Sequence, residues 1–460
     1  MGKIKDILTG TMSESDRIAL MKEKTTPVPP WADLQKEYDP ELHAVNDKQS
    51  YRDLVRNSGI EHVTRILLNF EQLASKRTTE LVCGIPVKRI YKPANERQKL
   101  VAQVMEAIFI RNRIDSVNVE RINQLFAGCE IFTLWFAVEQ PNDLYGVRSK
   151  LKMRCRTFSP MLGDKLYPLF DEYGDMVAMS IAYTRKVGGN DVQFFDTYTD
   201  DRHLKWSNAG GDWEEVENDH ITLMKIPGVY AWRPTPVWEK ASTLRNEMEW
   251  ALSRNGNYLR ENSKPRFIVF AEKCINYGDE KGADEEFKSI MQYPKGSSAQ
   301  YVTWEQAVES LKFYIEQLRS LFFTQLQLPD WSYEKMSQQA LSGESRKQMF
   351  IDAELKVGDE SGRLLEMFDR ECNVVKAFVK LIMGAAYHAD IDALIVENVI
   401  TPYRITDKQE ELSQLLAANG NMPVMSQRES IEAYGHSEDV DETLRQIQEQ
   451  GKVDAFDFAE

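Results

Sequence analysis

The sequence predicts an α+β chain, and three observations carry that expectation. Residues 130–227 hold short segments rich in β-branched and aromatic residues, separated by Gly, Asn and Asp turns. Stretches on either side repeat apolar residues at spacings of three and four, the period of a helix. One of these holds its period from about Gly343 to Ala386, roughly 65 Å at about 1.5 Å per residue, too long for the core of one small domain.

Residues 1 to about 50 read as a loosely structured arm. The stretch "TTPVPPWADLQKEYDPELHAV" holds Pro27, Pro29, Pro30 and Pro40, and proline interrupts helices and sheet ladders alike. A helix is expected over His62–Val82, where Val63, Ile66, Leu67, Phe70, Leu73 and Leu81 keep helical spacing. "CGIPV" ends it, with Gly at the stop and Pro two residues on. Two further helices follow, over about Glu96–Arg111 and Ser116–Ala127.

The β meander comes next. Strands are expected in "EIFTLWFAVE", "LKMRCRTFSP", "MVAMSIAYTRKV", "DVQFFDTYTD" and "DHITLMKIPG", with "GGND" and "NAGGD" as hairpin connections. Thr235–Asn262 returns to helix, with Trp238, Ala241, Leu244, Met248, Ala251 and Leu252 on one face and Pro236 in the first turn. A compact insert, Ser263–Thr303, begins with the strand "PRFIVF" and ends with the strand "AQYVTW". Helix resumes near Glu305, with Val308, Leu311, Ile315, Leu318, Phe322 and Leu326 in a stripe, and stops at Leu328-Pro329. A polar segment then leads to the long helix. The C-terminal part reads as a strand in "ALIVENVITPYRI", three short helices after it, and a frayed last ten residues.

Composition narrows the function. Of 460 residues, 28% are charged and the net charge is −15, which argues against a protein that grips DNA through a basic face. The stretch "MGKIKDILTGTMSESDRIALM" lacks the apolar core of a secretory signal, and no stretch has the roughly 18 apolar residues that span a bilayer, so no membrane association is expected. Five widely spaced cysteines form no C-x-x-C pair, which speaks against a zinc site or redox dithiol. Phosphate-loop, dinucleotide, nucleophile-elbow and zincin motifs do not occur. The six histidines are scattered without metal-ligand spacing and read as surface or structural residues. No cofactor, metal or catalytic residue is expected.

The order of parts carries a resemblance: a β-rich region, a helix, a small insert, a second helix, a polar loop, a very long helix, a strand and a small helical end. The stretches "HVTRILLNFEQLASKRTTELVCGIPV", "IPGVYAWRPTPVWEKASTLRNEMEWALSRNGNYLRENSKP", "QLQLPDWSYEKMSQQALSGESRKQM" and "ITPYRITDKQEELSQLLAANGNMPVMSQRESIEAYG" occur in the matching order. The chain thus resembles the portal proteins of tailed double-stranded DNA bacteriophages, of the long-tailed type, from about His62 to Gln450. In the third stretch Ala340 precedes Ser342 and Gly343, a departure from the family's pattern.

The resemblance implies a portal fold: an N-terminal arm over 1–50, a β-rich wing over 51–235, stem helices over 236–262 and 305–326 around a small α/β clip at 263–304, a tunnel loop over 327–342, a spine helix over 343–387, a return strand over 388–406, a helical crown over 407–450 and a flexible tail over 451–460. It implies a ring of about twelve subunits at one capsid vertex of the virion, made in the host cytoplasm. Double-stranded DNA would pass through its channel on packaging and ejection. The partners implied are the large subunit of the terminase, a head–tail adaptor, and the major capsid and scaffolding proteins. The tunnel loop would present Asp330, Ser332, Glu334, Lys335, Ser337, Gln338 and Gln339 to DNA, with exchangeable hydrogen bonds and little net charge. Lys264, Arg266, Lys273, Asp279, Glu280 and Lys281 would lie on the clip, where terminase and adaptor dock. Two other readings stand beside it: a head–tail adaptor or minor capsid protein, and an acid/base enzyme using carboxylates of the β region.

Overall fold

The computed structural model describes residues 12–56, 59–262, 266–270, 298–302, 308–329, 351–403, 416–417, 423–434 and 440–457. The chain forms two units, Met1–Asp330 with Asp352–Tyr403, and Trp331–Ile351 with Arg404–Glu460.

The first unit opens with α1 (Glu14–Met21), α2 (Trp31–Tyr38) and the short pair β1 (Leu54–Arg56) and β2 (Gly59–Glu61). Then come α3 (Phe70–Cys83), β3 (Lys88–Lys92), α4 (Glu96–Arg111) and α5 (Ile114–Gly128). Eight strands follow: β4 (Glu130–Asn142), β5 (Ser149–Phe158), β6 (Lys165–Phe170), β7 (Met176–Val187), β8 (Asn190–Tyr198), β9 (Arg202–Ser207), β10 (Glu214–His220) and β11 (Gly228–Trp232). Next are α6 (Ser242–Asn262), the antiparallel pair β12 (Arg266–Phe270) and β13 (Ser298–Val302), α7 (Val308–Gln325) and α8 (Ile351–Met383). The unit closes with α9 (His388–Ala393) and β14 (Ile395–Val399), and β14 pairs antiparallel with β3.

The eight strands form two antiparallel sheets, ordered β10-β9-β8-β7-β6 and β11-β4-β5. Period-two alternation gives each sheet an inner face, and Phe132, Leu134, Phe158, Leu166, Met179, Ile181 and Tyr230 join in one buried cluster. Pro168 lies in β6, an edge strand, where a missing N–H is tolerated. Gly188 and Gly189, both at positive φ, close the β7–β8 hairpin in two residues, as "GGND" predicts.

The meander is richer than its sequence suggests. The expected strand over Asp219–Gly228 is mostly a break, with only Asp219 and His220 at the end of β10 and Gly228 at the start of β11, and β6 and β9 are additional. Alternation is masked by Pro168 and by the polar, exposed β10.

The 1–50 stretch is not loose in its described part. Ile18 and Met21 of α1 pack on Phe195, Leu204 and Trp206, covering the second face of the five-stranded sheet. Trp206 Nε1 donates to Glu14 at 2.6 Å, so the prolines punctuate an ordered strap.

The first expected helix is shorter than its periodicity. Residues 62–69 are not helical, and α3 begins at Phe70. The reason lies in α6. The amides of Thr64, Ile66 and Leu68 donate to Asn257 Oδ1, Ser253 Oγ and Glu249 Oε1 at 2.5, 2.9 and 2.7 Å. Two extended residues rise about 6.6 Å and four helical residues about 6 Å, so an extended segment matches one helix face step for step. Tertiary pairing overrides local period here. Similarly, α6 begins at Ser242 rather than Thr235, because turns at Pro236–Glu239 and Trp238–Ala241 precede it and Lys240 sits at φ 69°.

α8 spans 33 described residues, about 50 Å at 1.5 Å per residue. In the second unit, α10 (Gln427–Tyr434) and α11 (Val440–Asp457) bear out the last two expected helices. Ser426 and Glu429 form a reciprocal capping box at the start of α10, with Glu429 N–H to Ser426 Oγ at 3.2 Å and Ser426 N–H to Glu429 Oε2 at 2.9 Å. α11 continues to Asp457, so most of the stretch expected to be frayed is helical. The helix expected over 406–420 lies almost wholly outside the described residues.

Candidate functional site: the joint between two helices

The polar segment singled out by the sequence leaves α7 through a defined stop. Gln327 takes a left-handed backbone at φ 53°. The Gln327 amide donates to Thr324 O at 3.1 Å and the Leu328 amide to Phe323 O at 3.0 Å. This is a Schellman closure, and Pro329 follows it, where a helix cannot continue. Gln replaces the usual glycine at the left-handed position, so the contacts around it must hold the conformation.

Those contacts are present. Phe322 and Phe323 pack against Phe70 of α3, with ring centroids 5.2 and 6.1 Å away. Arg77, one face further along α3, lies 5.0 Å above the Phe323 ring, and its Nη1 donates to Pro329 O at 3.1 Å. Lys356 of α8 donates from Nζ to Leu326 O at 2.5 Å. A cation at a helix C-terminus also meets the negative end of the helix dipole. Lys356 is 8% exposed, and burial lowers its pKa to about 8. The end of α7 is thereby tied to both α3 and α8.

α8 is held by a second buried group. Arg121 of α5 donates to both carboxylate oxygens of Glu371, at 2.7 and 2.6 Å. Trp135 Nε1 donates to the same carboxylate at 3.0 Å. Arg121 spends further donors on Asn118 and Thr133, so its charge is fully partnered. α6 has its own network: Arg245 bridges Glu71 and Glu249 at 2.8 and 2.9 Å, and His43 Nδ1 lies 2.7 Å from Glu249. These charges join α3, α5, α6, α8 and the N-terminal strap.

Of the residues expected to face DNA, Asp330, Ser332, Glu334, Lys335, Ser337, Gln338 and Gln339 lie outside the described residues. Among the expected clip residues, Lys264, Lys273, Asp279, Glu280 and Lys281 also lie outside, and Arg266 begins β12 opposite Val302. Sequence reading missed Arg77 and Lys356, the anchors of the joint. Lys356 lies on the buried face of α8 with Ala353 and Val357.

Other chemistry is sparse among the described residues. Cys83, Cys129, Cys155 and Cys372 are free thiols, and burial raises their pKa values to about 12, 12, 11 and 11. Such thiols are poor nucleophiles. No helix among the described residues is long and apolar enough to cross a membrane.

Residues 32–455 match the family of phage portal proteins described as SPP1 Gp6-like, and the chain belongs to that family. No curated protein matches the chain. Among solved structures, a chain from the virion of a native gene transfer agent (GTA) particle is 12% identical with a TM-score of 0.38, over 91% of this chain and 97% of that one. A chain from the neck of an empty GTA particle, computed with C6 symmetry, gives 12% and 0.38, over 86% and 94%.

Proposed function

We propose that this portal protein assembles as a ring of about twelve copies at one capsid vertex of a virion and conducts double-stranded DNA through its channel. In this reading α6 and α7 are the stem helices, α8 is the spine, the two sheets belong to the wing, and the helices of the second unit belong to the crown. The paired strands β12 and β13 belong to the clip, the docking site for the terminase large subunit and later the head–tail adaptor. Scaffolding and major capsid proteins surround the ring. The chain carries no catalysis of its own.

The observation that carries the proposal is the family match over nearly the whole chain, joined to the pinned exit from α7. A loop that lets DNA slide must present polar, weakly charged side chains from a rigid base, because strong phosphate contacts would stall movement. Leu326 and Pro329 are held at their carbonyls, which supplies the base. The segment beyond it has Lys335 set against Asp330 and Glu334.

The test is photo-crosslinking from position 338. A photoreactive residue replacing Gln338 should label DNA in filled particles, and one at exposed Tyr173 of the β6–β7 turn should not. Equal labelling from both positions, or none from 338, would remove the loop from the channel.

A further inference from the structure

One face of the five-stranded sheet gathers side chains that a DNA channel does not require. His203 stands on β9, with Glu217 and Asp219 on β10, and one ligand atom from each lies within 4.8 Å of the others. A bulge creates this grouping. Glu215 pairs with Trp206 and Glu217 with Lys205, so Val216 is passed over. That extra residue shifts the alternation by one and turns Glu217 and Asp219 to the His203 side.

Two orphaned atoms point to a missing ligand. Nε2 of His203 is buried and has no hydrogen-bond partner. Asp196 of β8, on the same face one step away, is 7% exposed. Its Oδ2 accepts from Tyr183 at 2.9 Å, while buried Oδ1 accepts from nothing. Unsatisfied buried groups of this kind are costly unless something fills the space. Asp196, His203 and Asp219 also line one cleft of 610 Å³, which has room for an ion and its waters. Lys205 engages Oε1 of Glu217 at 2.7 Å and leaves the second oxygen.

We propose that His203, Glu217 and Asp219 bind a divalent transition cation, beside the buried carboxylate of Asp196. One imidazole nitrogen among carboxylate oxygens suits Zn²⁺ or Mn²⁺ and disfavours Mg²⁺ and Ca²⁺, which take all-oxygen sets. The ion would fasten β10, an edge strand, to β9.

The full chain, stripped with chelator, should be titrated with Zn²⁺ by calorimetry and with Mn²⁺ by loss of the free-ion paramagnetic signal. The expected result is one tight ion per chain, unaffected by excess Mg²⁺. His203→Ala and Asp219→Asn should each weaken it by about tenfold or more, the scale on which metal sites respond to lost partners. Asp219 is exposed, so its variant carries the test should His203→Ala fail to fold. Absence of saturable binding, or equal affinity in wild type and Asp219→Asn, overturns the site.

Discussion

Arg121 and Glu371 meet in a bidentate ion pair, with side chains 0% and 4% exposed, between α5 and the long helix α8. Both charges are satisfied by their neighbours, yet neither can reach water if the other is removed. Arg121→Met should therefore destabilise the chain by about 3–5 kcal/mol. The double variant Arg121→Met with Glu371→Leu should recover most of that loss, because two apolar groups leave no stranded charge. Chemical denaturation of the three proteins checks this. A double variant as unstable as the single one would mean that the pair acts through packing alone.

Lys356 sets a pH dependence with a definite sign. Burial holds its folded pKa at about 8, below the ordinary lysine value of 10.5. Below pH 8 both states are charged and the folded state bears the full cost of burial. As pH rises from about 8 to 10.5 the folded lysine loses its proton first, and stability increases by up to about 3 kcal/mol. Lys356→Met should lack that rise, although it leaves the Leu326 carbonyl without its donor. Denaturation at pH 7 and pH 10, compared between wild type and variant, reads the difference. Parallel pH profiles would show that Lys356 is not desolvated.

The rungs between residues 64–68 and α6 should behave as a unit. Ser253→Ala leaves the Ile66 amide without its acceptor, at a cost of about 1–3 kcal/mol. Hydrogen exchange at Ile66 should accelerate more than at residues of α4. Unchanged protection at Ile66 would mean that another group replaces the serine.

The N-terminal strap should contribute to the stability of the sheet. Ile18 is 2% exposed against Trp206, and Ile18→Ala should cost about 2–5 kcal/mol and alter tryptophan fluorescence. A variant with wild-type stability would place the strap among the dispensable parts.

Much of the helical architecture was legible because its signals are local. Glu96–Arg111 carries a helical period and an Asn95 cap, and the structure returns the same bounds. The glycine pair at 188–189 permits the two-residue turn that its position suggests. Residues 62–69 were misleading because their helical spacing is real, but side chains 181 to 193 positions away capture their amides. The strap over 12–50 was likewise hidden, since its order comes from a sheet face assembled far along the chain. Arg77 and Lys356 could not be recognised from sequence, because each acts on a carbonyl that only the fold brings near. The cluster around His203 depends on a bulge, and a bulge in one strand is visible only against its partner.

Electron microscopy of the purified full chain, with light scattering for mass, tests the proposed ring. Annular particles with a central channel and a mass of about twelve chains should form, alone or on addition of scaffolding and capsid proteins. A chain that stays monomeric or dimeric under both conditions would contradict it.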